Sequence, residues 1–373
     1  MAEREEEEEG DSALPSSSGR YHEDRPEEDE EDEGSWDPRK LAHIMEVSER
    51  VIHGDLRAKI EAAWDIRNLV RRSSSYSSPR TRARFASAGV IKPLVSMLFS
   101  SNLDARMASL LALLNLAARD ERNKMKIVSA GAVPPLLELL KFPSGTLREL
   151  ATAAVLTLSS AESNKPIIIS SGVVPYLVQI LSSGSIQGRV DAVTALHYLS
   201  NFDGQSHPIL DSKAVSPLVN LLKECKKYSK FAEKTTALLE VLCHSEEGRV
   251  ALSNSDNGIL ALVETVEDGS QISANHAVGV LLDLCQSCRE KYRVLILKEG
   301  AIPGLLWTTV EGNPEAQKRS RALLDMLRDT PEEKKLASLD LERIAYDIAA
   351  RVDGLDKAAE TAKQLLQGRL KPG

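Results

Sequence analysis

A short phrase recurs along this chain every 41 to 44 residues, and it constrains the fold more than any other feature. The phrase is Ser-Ala-Gly, then a proline, then two apolar residues. Its glycine, or the position equivalent to it, falls at residues 89, 131, 172, 213, 257 and 300. The copies at 213 and 257 are weaker because lysine and asparagine replace the glycine. A period near 40 with helical patterning predicts an α-helical solenoid.

One repeat, residues 129–170, shows what each copy builds. Gly131 can end a short helix with a positive φ, and the Pro134-Pro135 pair suits the start of the next helix. Pro143-Ser144-Gly145 breaks that second helix. Apolar residues within 147–158 recur at intervals of three and four, which predicts a longer third helix. We therefore predict three helices in each repeat, stacked because one repeat cannot bury its apolar face alone.

This layout resembles the armadillo repeat family, most specifically in the Gly–Pro–Leu link between the first and second helices. The resemblance covers roughly residues 39–330. The stretch 62–95, with Ile66-Arg67-Asn68-Leu69 ahead of Ala88-Gly89-Val90-Ile91, is most similar to the armadillo arrays of plant U-box proteins. It implies an all-α, right-handed superhelical solenoid of about six full repeats. Those plant proteins are ubiquitin ligases in which the array binds the target and a separate U-box domain lies ahead of it. We find no candidate U-box before the repeats and expect no autonomous ligase activity.

The sequence predicts four parts. Residues 1–35 form an acidic tail, and residues 36–86 form an atypical capping first repeat with an Arg/Ser-rich loop at 71–84. Six repeats occupy 87–330. Residues 331–373 hold C-terminal capping helices and a tail, with amphipathic helices at 339–352 and 355–366. Trp307 stands where other repeats have a solvent-facing polar residue, so we expect these capping helices or a partner to cover it.

Charge is unevenly distributed. Residues 1–35 contain 16 acids and 3 arginines, a net charge of −13, which leaves +5 for the other 338 residues. This segment has almost no apolar side chains, so we expect it to be disordered. Two interpretations remain open. The segment is a solubilising tail, or it is an arm that binds a basic partner such as a histone tail or a ribosomal protein.

Composition argues against membrane and secreted classes. No apolar run reaches the ~18 residues that a membrane span needs, and the acidic N-terminus does not fit a signal or transit peptide. The four cysteines are interpreted as reduced thiols inside the cell. Cys285-x-x-Cys288 lacks a second pair for zinc, so we interpret it as core or helix-surface thiols. We expect a cytoplasmic or nuclear protein.

Motifs for enzyme chemistry were not found. The sequence has no GxxxxGK[ST] phosphate loop, no GxGxxG after a strand, no HExxH and no Gly-x-Ser-x-Gly. The histidines are scattered without an evident nucleophile or carboxylate nearby. Basic residues lack the interleaved aromatics of single-strand nucleic-acid binders. We predict no enzyme activity, no cofactor and no metal site.

Candidate binding residues follow from the resemblance. In armadillo arrays the long third helices line the concave face, and in importin-α and β-catenin an asparagine late in these helices holds the backbone of an extended peptide. Only Asn115 matches that asparagine. In importin-α a tryptophan lies one turn earlier, and none precedes the six positions compared, which argues against an importin-like transport adaptor. The other five positions are Thr157, Tyr198, Glu240, Asp283 and Asp325.

Helical spacing adds the residues four and seven positions earlier, which point the same way. The N-terminal third of this face is small and apolar, whereas the middle and C-terminal parts are acidic. We predict a protein partner with an apolar and a basic stretch, or else a solvated face without a ligand. The predicted groove contains Leu111, Asn115, Ala153, Thr157, Asp191, Thr194, Tyr198, Glu233, Thr236, Glu240, His276, Asp283, Arg321 and Asp325.

Two further features carry alternatives. Arg71-Arg72-x-Ser74 and Ser78-Pro79 have the forms that basophilic and proline-directed kinases prefer, so Ser74 and Ser78 are candidate phosphosites in what is otherwise a flexible loop. Arg106, Arg148 and Arg189 each lie 17 residues after a repeat glycine and face away from the predicted groove. We expect them to pair between repeats or form a solvated ridge, or else to meet an anionic partner.

These observations favour a non-catalytic protein–protein interaction scaffold. The alternative is a target-binding component of a ubiquitin ligation pathway that acts with a separate ligase. An importin-like transport adaptor is the weaker alternative.

Overall fold

The computed structural model describes residues 38–72, 78–202, 205–206 and 209–328, together with Arg343 and Tyr346. The chain divides into two compact units, Met1–His43 and Ile44–Gly373. The described part of the first unit is the beginning of helix α1, and the repeats lie in the second unit.

Nineteen α-helices occupy the described residues. Helices α1 and α2 precede the repeats, and most repeats then contribute a first, a second and a third helix in that order. The helices are α1 Pro38–His53, α2 Leu56–Arg72, α3 Ser78–Ser87, α4 Ile91–Met97, α5 Leu103–Ala117, α6 Glu121–Ser129, α7 Val133–Leu140, α8 Thr146–Ser159, α9 Lys165–Ser170, α10 Val174–Ser183, α11 Ile186–Ser200, α12 Val215–Glu224, α13 Lys230–Cys243, α14 Glu246–Asn254, α15 Gly258–Asp268, α16 Gln271–Ser287, α17 Arg289–Lys298, α18 Ile302–Glu311 and α19 Pro314–Leu327. The predicted all-α repeat architecture is confirmed.

The recurrent glycines turn the chain between first and second helices. Gly89, Gly131, Gly172 and Gly300 have φ between 79° and 89°, where a side chain is strained. Asn257 takes the left-handed conformation at the fifth repeat with φ 57°, which asparagine tolerates better than most residues.

Most third helices begin at a capping side chain. An asparagine or serine oxygen accepts a backbone N–H from the first turn, which satisfies a donor that the helix cannot pair internally. Gly145 takes the cap position before α8 without such a bond. The capping residues are Asn102, Ser185, Ser229, Ser270 and Asn313.

The fourth repeat departs from the predicted three-helix pattern. Two short strands, β1 Asn201–Phe202 and β2 Gln205–Ser206, pair antiparallel where a first helix is expected. A 3₁₀ helix, Ser212–Ala214, then leads into α12, with the Asp211 side chain accepting the Lys213 N–H. The copy with lysine at position 213 therefore follows a segment without a regular first helix, whereas the copy with asparagine at 257 follows the regular first helix α14.

The core is continuous from repeat to repeat. The third helices pack against one another in the chain order α5, α8, α11, α13, α16 and α19, and α2 packs against α5 at the head of the series. Leucine, alanine and valine side chains on their inner faces are buried; Leu116, Leu199 and Leu284 are fully so. Stacking thus supplies the apolar burial that a single repeat lacks.

First-helix cations bind the carbonyl ends of third helices in three repeats, and we name these bonds the first-helix clasps. A cation is favoured there because the last carbonyls of a helix carry partial negative charge and no internal donor. The clasps are Arg82 Nε to Asn115 O at 2.9 Å, Lys165 Nζ to Asn201 O at 2.5 Å and Arg293 Nε to Leu327 O at 2.9 Å.

Two expected segments differ from or lie outside the described structure. The Arg/Ser-rich loop predicted at 71–84 is shorter, because α2 continues to Arg72 and α3 begins at Ser78 with Pro79 in its first turn, a position that proline favours. Ser74, the acidic segment 1–35 and the capping helices predicted at 339–352 and 355–366 lie outside the described residues, apart from Arg343 and Tyr346.

Candidate partner-binding face

The outward faces of the third helices form a row along the array, which we call the third-helix row. On α5 and α8 the predicted residues Leu111, Asn115, Ala153 and Thr157 are half-buried on this row. The Asn115 amide donates to the Leu111 carbonyl at 2.7 Å, and the Thr157 hydroxyl donates to the Ala153 carbonyl at 2.8 Å. Both side chains keep an oxygen that can still accept a bond.

On α11 the predicted residues meet a lysine from the next repeat. Lys234 Nζ lies 3.2 Å from the Thr194 hydroxyl and 5.9 Å from the centre of the Tyr198 ring. Asp191 accepts a bond from Gln187 at 2.8 Å. Burial raises the pKa of the Asp191 carboxyl and Glu149 raises it further, while the Gln187 bond opposes them.

On α13 the predicted positions are wrong for one residue. Thr236 is fully buried, and its hydroxyl bonds to the Ala232 carbonyl of its own helix. Lys234 and Val241 are partly exposed instead. The chain has 16 residues between 213 and α13, against 13 between 172 and α11. This longer connection shifts the register, so counting from position 213 selects a core residue.

Glu240 anchors a cluster that joins three repeats. Its carboxylate lies 2.5 Å from His276 Nδ1 on α16 and 2.7 Å from Arg319 Nη1 on α19. Burial alone would raise the pKa of the Glu240 carboxyl, but His276 and Arg319 outweigh it and hold this pKa below its ordinary value. We call Glu240, His276 and Arg319 the inter-repeat triad.

Gly279 lies directly under the inter-repeat triad. A Cβ atom there would come within 2.6 Å of Arg319 Nη1 and closer still to Glu240 Oε1. No other residue type fits without displacing that ion pair. The glycine thus lets two side chains cross a third helix between repeats.

The remaining acids of the predicted groove also have partners. Glu233 lies 3.0 Å from Lys230, and Asp283 lies 3.5 Å from His244 Nε2. Burial raises the pKa of Asp283, and Glu240 adds to the rise while His244 opposes it. Asp325 pairs with Arg328 at 3.2 Å. Within the described residues, Asp191 is therefore the one acid of the five without a lysine, arginine or histidine partner.

Arg321 does not join this network. Its Nη2 lies 3.4 Å from the Thr309 carbonyl, so the side chain turns toward α18. The neighbouring Arg319 takes the place in the row.

A tryptophan–asparagine pair on α2 escaped the sequence analysis. Trp64 is half-buried and Asn68 is exposed one turn later, which is the spacing that the armadillo resemblance associates with peptide binding. The shared Asn-Leu dipeptide, at Asn68 and at Asn115, could have revealed it. We missed the pair because α2 was assigned to a capping repeat.

The three arginines expected to face away make structural bonds. Arg189 pairs with Glu224 of the next repeat at 2.9 Å. Arg148 is buried and donates to the Pro143 carbonyl at 2.6 Å and to Ser183 of the next repeat at 3.3 Å. Arg106 donates to the Ser100 carbonyl at 2.5 Å.

Trp307 is 65 % exposed on α18, beside Leu306 and Val310, which are also exposed.

Of the candidate phosphosites, Ser78 is the first residue of α3 and Ser74 lies outside the described residues.

The cysteines and the helix lengths give few further constraints. Cys285 is buried in α16 and Cys288 is exposed at its end. In the described part of the chain no group of three or more His, Cys, Asp or Glu side chains is placed to hold a metal ion.

Among the described residues, no single helix is long and apolar enough to cross a membrane. One pair of segments bent by 87°, Glu162–Ser170 and Val174–Ser183, passes the same test by length and composition.

Comparison with known proteins defines the class first. The sequence model of the armadillo/β-catenin-like repeat matches residues 120–160. A solved structure from a study of the interaction between cadherin and β-catenin superposes with a TM-score of 0.66 at 16% identity, covering 87% of this chain and 65% of that one. An engineered protein superposes with a TM-score of 0.60 at 21% identity, covering 86% and 77%. At these identities the likeness establishes the armadillo fold alone.

The family follows from the longer match. The model of the plant U-box protein ARM repeat region matches residues 148–344, more than half of the chain. The chain belongs to the plant U-box protein ARM repeat family. It is 29% identical over 281 residues to U-box domain-containing protein 45 of Arabidopsis thaliana, and 31% identical over 110 residues to U-box domain-containing protein 25 of the same plant. These alignments cover 74% and 29% of this chain but only 35% and 26% of the two relatives.

Proposed function

We propose that this chain is a non-catalytic interaction scaffold that binds a segment of a partner protein along the third-helix row. One observation carries the proposal. Among the described residues, every buried side-chain polar atom without a hydrogen-bond partner lies on α2 or on a third helix. Those on or beside the row that also make no ion pair are Arg67 Nε, His197 Nδ1 and Asn275 Oδ1. Leaving such atoms unpaired is costly, and neighbouring side chains cover them in the unbound chain. A polypeptide that enters the row and moves those side chains aside would supply the missing donors and acceptors.

The row also has the chemistry for a mixed ligand. Leu111 and Ala153 offer small apolar contacts at α5 and α8. Asp191, which has no cation partner among the described residues, lies near Glu149 of the preceding repeat. An apolar stretch followed by a basic side chain would fit these positions, with the basic group between the two carboxylates.

Photo-cross-linking tests the proposal at residue resolution. We would replace Tyr198, on the row, with p-benzoylphenylalanine, and make the same replacement at Tyr228. Tyr228 is 63 % exposed and lies between α12 and α13, away from the row. After irradiation in cell extract, we expect a partner to be linked at position 198 and absent at 228. Linkage at 228 alone, or equally at both positions, contradicts binding along the row.

A second candidate function follows from the family match. Because the matched relatives are named U-box domain-containing proteins, a target-binding role in ubiquitin ligation is the next proposal. The test is a reconstituted reaction that contains a separate U-box ligase, this chain and the free partner protein that cross-linking has identified. Ubiquitination of the partner that requires this chain supports the role. Ubiquitin transfer by this chain without an added ligase would instead contradict the non-catalytic assignment.

An importin-like adaptor remains the weaker alternative. One tryptophan–asparagine pair is present on α2, but Arg67 already covers the Trp64 ring, with 5.1 Å from its guanidinium carbon to the ring centre. The positive charge of that arginine would repel a basic localisation signal.

A further inference from the structure

We propose that the head of the third-helix row, where α2 lies beside α5, binds an acidic stretch of the partner; this inference rests on the proposed function. The site, which we call the N-terminal subsite, consists of Trp64, Arg67, Asn68 and Arg71 on α2, with Asn115 on α5 and Arg82 on α3.

Helix α2 presents the same face as the third helices. Its buried residues Ala62, Ala63, Ile66 and Val70 have the spacing of the buried residues Ser109, Leu110, Leu113 and Ala117 on α5. Aligning the two helices at these positions makes Trp64 equivalent to Leu111 and Asn68 equivalent to Asn115. Arg67 and Arg71 then lie on the same outward face. The row therefore begins at α2, one helix earlier than the six repeats.

The acids of α2 are neutralised elsewhere. Asp65 lies 2.9 Å from Arg50 of α1, and Glu61 lies 3.1 Å from Arg57 and 3.6 Å from Arg50. Arg67 and Arg71 have no such carboxylate partner among the described residues. The outward face of α2 is consequently positive next to the tryptophan–asparagine pair.

Arg67 is prepared for an anion. Its guanidinium carbon lies 5.1 Å from the centre of the Trp64 ring, and its guanidinium has no carboxylate partner among the described residues. A carboxylate of the ligand would accept from this planar donor set. A lysine or arginine of the ligand would be repelled by it.

The asparagines supply backbone recognition. Asn68 is exposed and makes no hydrogen bond to another described residue. Its amide can donate to and accept from the backbone of an extended segment. Arg82 binds the Asn115 carbonyl at the adjacent helix end and brings a third positive charge to the subsite.

The sequence around the N-terminal subsite also has a positive net charge. Residues 38–130 contain 17 lysines and arginines against 8 acids, a net charge of +9, whereas residues 131–373 have a net charge of −3. The field at this end of the array thus favours an acidic ligand during encounter as well as after binding.

The test uses the full chain and two fluorescein-labelled peptides that differ only in charge. One consists of Glu-Ser-Leu triplets and the other of Lys-Ser-Leu triplets. Fluorescence polarisation should show binding of the acidic peptide, weakened as salt rises, and at least about tenfold weaker binding of the basic peptide. The double change Arg67→Glu and Arg71→Glu should weaken the acidic peptide about tenfold or more. Asn68→Ala should weaken both its binding and that of an uncharged Gln-Ser-Leu peptide.

A matched control changes net charge equally at another place. Lys92→Glu with Lys298→Glu alters two exposed lysines on α4 and α17, outside the row, and should leave the affinity within about twofold. Equal loss in both double variants, or no binding of the acidic peptide, overturns the subsite. Cross-linking at position 198 is a separate readout. If it persists while the peptide result is negative, the proposed function stands and this inference falls.

Discussion

Arg319 and Glu240 are separated by 79 residues and two repeat boundaries, yet their side chains lie 2.7 Å apart. The arginine on α19 reaches across α16 to the carboxylate on α13, over the position where Gly279 has no side chain. Ordinary repeat packing joins neighbours only, so this ion pair couples the fourth repeat to the sixth.

The first prediction concerns Gly279→Ala. The added methyl group has to displace Glu240 or Arg319, and we expect a loss of about 1–3 kcal/mol in the free energy of unfolding. Urea denaturation followed by circular dichroism measures it.

Making Gly279→Ala in a Glu240→Ala variant tests whether the clash with this ion pair causes the loss of stability. In Glu240→Ala the nearest obstructing atoms are gone, so Gly279→Ala should cost much less there than in the parent chain. Additive losses in the double variant would show that the methyl group is disruptive for another reason.

The second prediction is a pH dependence at His197. Burial, with smaller contributions from the nearby Lys234, His276 and Lys165, lowers the pKa of His197 to about 4. Because the folded pKa is below the ordinary 6.5, the unfolded chain binds this proton first. The contribution of His197 to stability is therefore complete above pH 6.5 and is lost as the pH falls toward 4, by up to about 3 kcal/mol.

Denaturation midpoints at several pH values measure this loss. His197→Gln should flatten the dependence between pH 6.5 and 4. His53→Gln, at an exposed position on α1, serves as the control and should leave it unchanged. An unaltered slope in His197→Gln contradicts the assignment.

The third prediction tests a first-helix clasp. Lys165 is buried, donates to the Asn201 carbonyl and pairs with Glu162 at 2.5 Å, so Lys165→Met removes both interactions and should cost about 1–3 kcal/mol. Lys124→Met is the matched change on α6, where the exposed bond from Nζ to the Ser160 hydroxyl is expected to contribute less than about 0.5 kcal/mol. Thermal unfolding compares the two, and equal losses would contradict a special role for the buried lysine.

The fourth prediction concerns cysteine reactivity. Burial, with a smaller contribution from Asp283, raises the pKa of Cys243 to about 12, and burial raises the pKa of Cys285 to about 11. The thiolate is the reactive form, so iodoacetamide should modify exposed Cys288 first. Peptide mass spectrometry over time gives the order; modification of Cys243 or Cys285 as fast as Cys288 would contradict it.

Local signals were sufficient to predict most of the fold. Gly89, Gly131 and Gly172 mark the turns because only glycine adopts that conformation without strain, and the apolar spacing predicts the helices that follow. The prediction was wrong where the local signal weakens. At Lys213 no glycine is present, and two short strands followed by a 3₁₀ helix take the place of the first helix. The register of α13 also shifts, so that Thr236 enters the core.

The candidate face was less predictable because its charges depend on distant partners. Helical spacing placed Glu240 and His276 on the row. No sequence pattern predicts that Glu240 pairs with Arg319, and this ion pair neutralises the charge that Glu240 would otherwise offer to a ligand. The Trp64–Asn68 pair is a local signal, but it was not compared with the other repeats because α2 was assigned to the capping first repeat. Only the packing of α2 against α5 extends the row to it.

The first-helix clasps have a consequence for how such a chain can change length. Each clasp begins and ends within one repeat, since Arg82 reaches Asn115 and Arg293 reaches Leu327. Duplicating or deleting a whole repeat therefore copies or removes a complete bond and leaves no orphaned carbonyl at the junction. The inter-repeat triad is the opposite case, because an insertion between α13 and α19 would separate its charges. Unequal recombination should thus be tolerated near the first repeats and penalised near the last three.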